Sequence, residues 1–397
     1  MEPSLADHSD NANECPARRL SVPHGCIGTV ASTIARTLVR AQAVAPPALR
    51  WDAVARQVLD HPGGPLLVRG GPGTGKTTLL AEAAADRVVR HGVEPEQVLV
   101  LTASRRAATA MRTAITARLT GLGPSSTVRE PLVRTVHSYA FAVLRLRAAR
   151  NDLPPPRLLA GPDQDAVVRD LLAGDIESGA AQWPERLRPA LGLPGFAAEL
   201  RELILRAAER GLGPDGLSRL GHSHDRPEWI AAGAFWTQYE QVTLLSGGQA
   251  HGAAAPAMDA AELVSSALVA FGMDEDLLGA ERARVRHLFV DDAQHLDPQQ
   301  HRLVSVLGAG AAELVVAGDP DQAVFAFRGA NPTLFLDEGA GPVRTLSADH
   351  RMAPRIRAAV QRLCLRLPAA GARSELTGPS DQRDGRVEVR VLATEAR

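Results

Sequence analysis

Residues 65–78 read PLLVRGGPGTGKTT, and the fold turns on how this stretch is read. An apolar run, PLLVRG, gives way to glycines and then to a helical pattern that continues through Val89. Gly70 to Thr77 fits G-x-x-x-x-G-K-[ST] between a strand and a helix. In that setting glycine N–H groups close around phosphate oxygens and the helix N-terminus adds a favourable dipole. Gly70, Gly71, Pro72, Gly73, Thr74, Gly75, Lys76, Thr77 and Thr78 are therefore expected to hold a nucleoside triphosphate. The chain's 44 lysine and arginine residues include a single lysine, Lys76. A compact ammonium reaches the β and γ phosphates as a point charge, whereas a planar guanidinium is broader and spreads its charge. Thr77 offers its hydroxyl to Mg²⁺. The bland alternative is a Gly-rich turn that matches the pattern by accident.

Outward from this loop, short apolar runs alternate with helical stretches: VLVLTAS and a helix over Ala107 to Leu119, then later HLFVDDA and ELVVAGD. Fully apolar runs of about five residues between amphipathic helices predict parallel strands covered on both faces, an α/β core. The alternation stops between about Phe141 and Arg284. In FAAELRELILRAAERG, Leu200, Leu203, Ile204 and Ala207 share one helical face and Gly211 offers a stop. In DAAELVSSALVAFG, Asp259 and Glu262 have capping-box spacing and Gly272 falls past the expected end. The expected order is a disordered tail over 1–45, with one short helix near Thr29 to Gln42, and the first part of the core over 46–140. An inserted helical domain follows over 141–285, the rest of the core over 286–350, and a linker with a further strand over 351–397.

With 397 residues and 45% apolar content, the chain can bury a sizeable core. A net charge of −1 means that any nucleic-acid partner must be held by a local surface. Cys15, Cys26 and Cys364 form no CxxC pair and are odd in number, which fits a reducing cytosol and argues against zinc. The acidic N-terminus and the lack of any run near ~18 apolar residues predict a cytoplasmic protein with no membrane segment.

The second acid-bearing stretch is HLFVDDAQ. At the end of a buried strand Asp291 can share a Mg²⁺ with Thr77, and Asp292 can orient or deprotonate an attacking water. An ordinary strand-end turn also favours Asp.

Four more stretches complete an ordered set: LTASRRAA at 101–108, TVHSYA at 135–140, GDPDQAVFAFRGA at 318–330 and LSADHR at 346–351. With the first two they resemble the superfamily 1 DNA helicases of the UvrD/PcrA/RecB type. The resemblance implies a RecA-like P-loop NTPase core that uses ATP and Mg²⁺, with Lys76, Asp291, Asp292, Gln322 and Arg351 as its catalytic set. Gln322 would contact the γ-phosphate, and Arg351 would stabilise charge on the transferring phosphoryl group. Phe325 and Phe327 match positions that stack on bases of single-stranded DNA, and Arg328, Thr135, His137, Ser138 and Tyr139 match positions at or near its track. Phe325 and Phe327 also alternate as a strand would, so that at least one of them reads equally as core. His137 taken alone reads equally as a structural histidine.

The chain departs from the family pattern at several positions. Asp292 stands where the family has Glu, Ala103 replaces a stacking Phe, and Ala55 occupies the place of an adenine-reading Gln, with Gln57 two residues further on. VEVRVLATEAR looks like the first strand of a second RecA-like domain that is cut short, without the last two helicase motifs. The function implied is an ATP-dependent 3′→5′ DNA helicase or translocase of repair or recombination, represented by its N-terminal core. Within the family, VDDAQHLDP and the arginine-rich composition are most similar to AdnA-type subunits of actinobacterial helicase–nucleases. This implies a second subunit as partner and leaves open a nucleotide- and DNA-binding structural subunit with weak or no hydrolysis. A truncated inactive product is a further alternative.

Overall fold

The computed structural model describes residues 49–120, 132–159, 161–246, 257–337, 341–367, 375–379 and 383–389. The tail expected over 1–45, its helix near Thr29 to Gln42, and residues 390–397 of VEVRVLATEAR lie outside them, as do Cys15 and Cys26.

After α1 (Ala53–Leu59) come β1 (Gly64–Gly70), α2 (Lys76–Val89), β2 (Val98–Thr102), α3 (Arg105–Thr120) and β3 (Leu132–Thr135). A long helical stretch follows: α4 (Val136–Arg150), α5 (Gly161–Glu177), α6 (Pro194–Glu209), α7 (Pro214–Ser223), α8 (Pro227–Ser246), α9 (Ala260–Met273) and α10 (Glu275–Arg284). Among its described residues the short parallel pair β4 (Arg157–Leu158) and β5 (Ala257–Met258) is the strand structure present. The α/β alternation then resumes with β6 (His287–Val290), α11 (Pro298–Gly308), β7 (Glu313–Gly318), α12 (Pro332–Asp337), β8 (Val343–Leu346) and α13 (Pro354–Cys364).

Six strands form one sheet in the order β3-β2-β6-β7-β1-β8, and every neighbouring pair is parallel. The apolar runs explain why both faces are covered. On one face Leu67, Leu99, Leu101, Leu288, Val290 and Val316 pack with side chains of α4, α9, α10 and α11. On the other, Leu66, Val68, Val98, Val100, Phe289 and Val315 pack with α1, α2 and α3. Successive residues of one strand serve opposite faces, so a run apolar at every position is what such a sheet needs. This is the RecA-like α/β core, with the helical stretch entering between β3 and β6. While α4, α9 and α10 pack on the sheet, α5 to α8 build a core of their own, in which Trp183, Leu200, Ile204, Phe235 and Trp236 meet, and Trp183 Nε1 donates to Asp175 at 2.8 Å.

Local signals hold closely. Asp259 and Glu262 make the reciprocal capping box at the start of α9. Gly211 follows α6 with φ +75°, in the left-handed region that glycine enters without a Cβ clash. Gly272 lies inside the last turn of α9 instead of past its end, because Asp274 ends that helix and at once caps α10 by accepting from Leu277 N at 2.8 Å. Helix α3 begins two residues before the expected Ala107, because Ser104 Oγ accepts from Ala107 N at 3.1 Å and caps the helix there. Residues 383–389 contain no strand, and Val387 and Val389 are exposed. An extended run becomes a strand only where a neighbouring strand takes its backbone hydrogen bonds in a ladder; Asp384 O accepts from Arg355 N at 3.0 Å, but no such ladder forms along 383–389 among the described residues. Among the described residues no helix is long and apolar enough to cross a membrane.

Candidate functional site

Because the strands are parallel, their carboxyl ends lie along one edge of the sheet, where ligands of open α/β sheets bind. All six motifs begin at that edge: β1 ends at Gly70, β2 at Thr102, β3 at Thr135, β6 at Val290, β7 at Gly318 and β8 at Leu346.

In the loop after β1, Gly73 and Gly75 have φ of +79° and +82°. A Cβ on Gly73 would collide with Asp349 and crowd Arg351, so glycine is required there on two counts. Helix α2 opens at Lys76, whose Nζ donates to the carbonyls of Gly70 at 2.7 Å and Gly71 at 3.2 Å. Thr74 Oγ1 donates to Gly71 O at 2.8 Å and stiffens the turn. Pro72 is half-buried, and Thr77 and Thr78 stand exposed at the mouth of the loop.

Thr77 Oγ1 donates to Asp291 Oδ1 at 3.2 Å. Asp291 is buried; burial first, then the neighbouring Asp292, push its carboxyl up to about 7, against the pull of the Thr77 hydrogen bond and Lys76. A carboxylate in this position gains from a cation beside it. Among the described residues no group of three His, Cys, Asp or Glu gathers here or elsewhere to hold a metal. A hydroxyl and one carboxylate beside a phosphate loop nevertheless fit Mg²⁺, which binds through one or two protein oxygens and takes the rest from phosphate and water.

Asp292 adopts a left-handed backbone, φ 53° and ψ 45°, and accepts from Gln294 Nε2 at 3.2 Å. Gln294 Oε1 in turn accepts from Asp319 N at 3.0 Å, and Gln322 Nε2 donates to Asp319 Oδ2 at 2.6 Å. A chain of hydrogen bonds thus runs from the acid after β6 to the glutamine after β7. Gln294 is fully buried and was not among the residues expected from the sequence. Its one visible signal was an amide placed between two acid-bearing strand ends.

Beyond β8, His350 N donates to Gly73 O at 3.0 Å, which ties the Asp349–Arg351 turn to the phosphate loop. Asp349 is buried, accepts from Arg351 N at 3.0 Å and pairs with Arg357 at 3.4 Å. Arg351 therefore stands next to the loop with its side chain exposed. Residues 375–379 run along this turn: Thr377 N donates to Ser347 O at 2.8 Å and Asp349 N to Thr377 O at 2.6 Å. Leu376 packs against Gly71, where a Cβ would come within 3.0 Å of it. On α1, Ala55 is buried and Gln57 is exposed.

Phe325 and Phe327 do not lie on a strand; the chain makes a 3-10 turn over Ala326–Arg328 that Gly329 closes at φ +82°. Their alternation misled because a tight turn also separates neighbouring side chains. Phe327 is 68% exposed, and its ring lies edge-on to Phe325 at 6.2 Å between centroids. The Arg328 guanidinium lies over both rings, at 5.6 and 5.4 Å. His295 also meets Phe325, at 4.5 Å between ring centroids.

The TVHSYA residues separate. Thr135 caps α4 by accepting from Ser138 N at 3.2 Å, and Ser138 is exposed. His137 is half-buried, and burial lowers its affinity for a proton. Tyr139, expected at or near a DNA track, lies instead in the core, its hydroxyl donating to Glu281 at 2.6 Å. One helical turn carries the ring away from the strand-end edge, so it has no face to offer a ligand.

Comparison with known proteins places these features in context. Residues 51–340 match the family described as the UvrD/REP helicase N-terminal domain. The chain is 25% identical over 274 residues to the putative ATP-dependent DNA helicase YjcD of Bacillus subtilis, covering 69% of this chain and 32% of that protein. It is 28% identical over 288 residues to the ATP-dependent DNA helicase UvrD1 of Mycobacterium leprae, covering 69% and 34%. Against the ATP-dependent DNA helicase UvrD2 of Mycobacterium tuberculosis the identity is 28% over 352 residues, covering 82% and 45%. The matched part of the chain thus spans 32% to 45% of the length of these relatives.

Proposed function

The chain belongs to the UvrD/REP helicase N-terminal domain family, and on that premise we propose that it is the ATP-binding core of a DNA helicase or translocase. It would move 3′→5′ on single-stranded DNA in repair or recombination, in the cytoplasm. The observation that carries this reading is the Thr77–Asp291 hydrogen bond. It brings together residues 214 positions apart at a sheet edge where the four other motifs also emerge. The core comprises 46–140 and 286–350, the helical domain 141–285, and 351–397 leads toward a second RecA-like domain.

Gly70 to Thr78 cradle the phosphates of ATP, with Lys76 leaving its two carbonyls to meet the β and γ oxygens. Thr77 and Asp291 hold Mg²⁺, which when bound neutralises charge on the phosphates. Asp292 positions the attacking water, Gln322 senses the γ-phosphate, and Arg351 supplies positive charge from beside Gly73. Phe325, Phe327 and Arg328 offer a face on which bases of single-stranded DNA stack, while Thr135, His137 and Ser138 line the end of β3. Titration with a fluorescent ATP analogue in Mg²⁺ tests the nucleotide site. Lys76→Ala should weaken binding at least about tenfold with unchanged circular dichroism, and equal affinity for both proteins would sink the assignment.

A second reading is a nucleotide- and DNA-binding subunit of an AdnA-type helicase–nuclease that pairs with an active motor. Asp292 favours it: the side chain is one methylene shorter than Glu and is already engaged by Gln294 at 3.2 Å. Slow hydrolysis that Asp292→Glu accelerates would identify the short acid as the limiting defect; no acceleration would remove this argument.

A further inference from the structure

The 3-10 turn Ala293–His295 presents two side chains in opposite directions. Gln294 points inward and joins Asp292 to the backbone of Asp319. Its amide is packed so closely that a Cβ on Gly318 would stand 2.6 Å from Oε1. His295 points outward and sets its ring against Phe325 at 4.5 Å with a tilt of 53°. Phe325 then contacts Phe327, and Arg328 lies over both. The turn itself has little freedom: His295 N donates to Asp292 O at 3.0 Å, and Asn331 N donates to Leu296 O at 2.9 Å. Asp292, Gln294 and the His295 ring thus belong to one hydrogen-bonded turn. Nδ1 of His295 is buried without a hydrogen-bond partner, so the ring is held by its faces and not by a polar anchor. Among the described residues the ring contact with Phe325 is the aromatic interaction of this side chain, and the Asp292 charge acts on it from the acid-bearing turn.

We propose that His295 is a positioning residue that couples the acid-bearing turn to the aromatic platform. It sets the plane of Phe325 for a base of single-stranded DNA and changes it when Asp292 and Gln294 rearrange around a nucleotide. The inference rests on the DNA-binding reading of Phe325 and Phe327 given above. A packed aromatic pair suits such a role because interdigitated side chains switch between discrete arrangements and do not deform smoothly.

The test measures binding of fluorescent oligo(dT) by the whole chain, with and without Mg²⁺ and a non-hydrolysable ATP analogue. The wild type should show a nucleotide-dependent change in affinity. His295→Ala should lose about 2- to 10-fold in nucleotide-free affinity, the range of one aromatic pair. It should also lose the nucleotide-dependent change while keeping its affinity for the analogue. His295→Phe, which keeps a ring, should restore DNA affinity, and His295→Gln, which keeps polarity alone, should not. If Phe327→Ala weakens oligo(dT) binding but His295→Ala and His295→Gln behave as wild type, the coupling role is wrong and the DNA surface stands. Failure of His295→Phe to restore affinity also overturns the role, because the contact would then not be aromatic. If neither Phe325→Ala nor Phe327→Ala weakens binding, the DNA reading falls and the inference with it. Thermal melting of each variant separates these outcomes from unfolding.

Discussion

Asp291 carries the clearest residue-scale consequence. Burial and Asp292 raise its carboxyl to about 7, so below that pH the folded site holds a proton that Mg²⁺ must displace. Metal-dependent nucleotide affinity should therefore fall as pH drops from 8 to 6, and Asp291→Asn should both weaken binding and flatten the profile. Titrations of the fluorescent analogue across that range check the sign; affinity rising toward acid would show that this carboxyl is not the metal ligand. Gly73 is the second sensitive position. Its φ of +79° and the nearness of Asp349 and Arg351 leave no room for a methyl group. Gly73→Ala should cost about 1–2 kcal/mol of stability and abolish analogue binding, read by denaturation and titration of the same sample. The placement of Lys76 and Thr77 at a strand-to-helix turn was legible because the loop motif prescribes residue types at fixed spacing, and that of Asp291 beside them because it ends an apolar run of the same sheet. Gln294 and His295 were not, since their roles depend on which side chains another strand end brings beside them.

At the scale of elements, the edge opposite the phosphate loop is held by a buried ion pair. Arg87, near the end of α2, donates to both oxygens of Glu313 at the start of β7, at 2.8 and 2.7 Å, and to Leu59 O at 2.8 Å. His287 Nδ1 lies 2.8 Å from the same carboxylate. One guanidinium thus joins α1, α2 and β7, and its loss leaves a carboxylate buried without its main partner. Arg87→Ala should destabilise the fold by about 3–5 kcal/mol, measured by urea unfolding, whereas Glu313→Gln, which keeps the shape and removes the charge, should cost less. A smaller effect belongs to α9, where Asp259→Ala removes the capping acceptor at a cost of about 1 kcal/mol. The capping box and the Gly211 stop could be read from sequence because each is a contract between residues three or four apart. The turn at Ala326–Arg328 could not. Two phenylalanines in alternation carry the same pattern on a strand and around a tight turn, and only the neighbours, Arg328 and His295, distinguish the two.

For the whole molecule, one sheet edge carries the proposed nucleotide site while α5 to α8 keep a separate core. Hydrogen exchange should show this directly. Adding Mg²⁺ and an ATP analogue should slow exchange at 70–78, 290–295, 318–322, 349–352 and 375–379, and leave 194–223 unchanged. Protection spread evenly over both regions would contradict a site confined to the edge. The parallel sheet was legible from its uniformly apolar runs, but the order of its strands was not, because those runs are interchangeable as sequence. That order has a consequence for how the protein is made. Strand β1, which carries the phosphate loop, is hydrogen-bonded only to β7 and β8, and Gly64 finds its partner in Glu313. On a ribosome adding about 5–20 residues per second, the loop waits more than about ten seconds for the neighbours that give it shape. Until then the most conspicuous stretch of the sequence emerges as an apolar segment with both edges unpaired, a client for chaperones before it is a site for nucleotide.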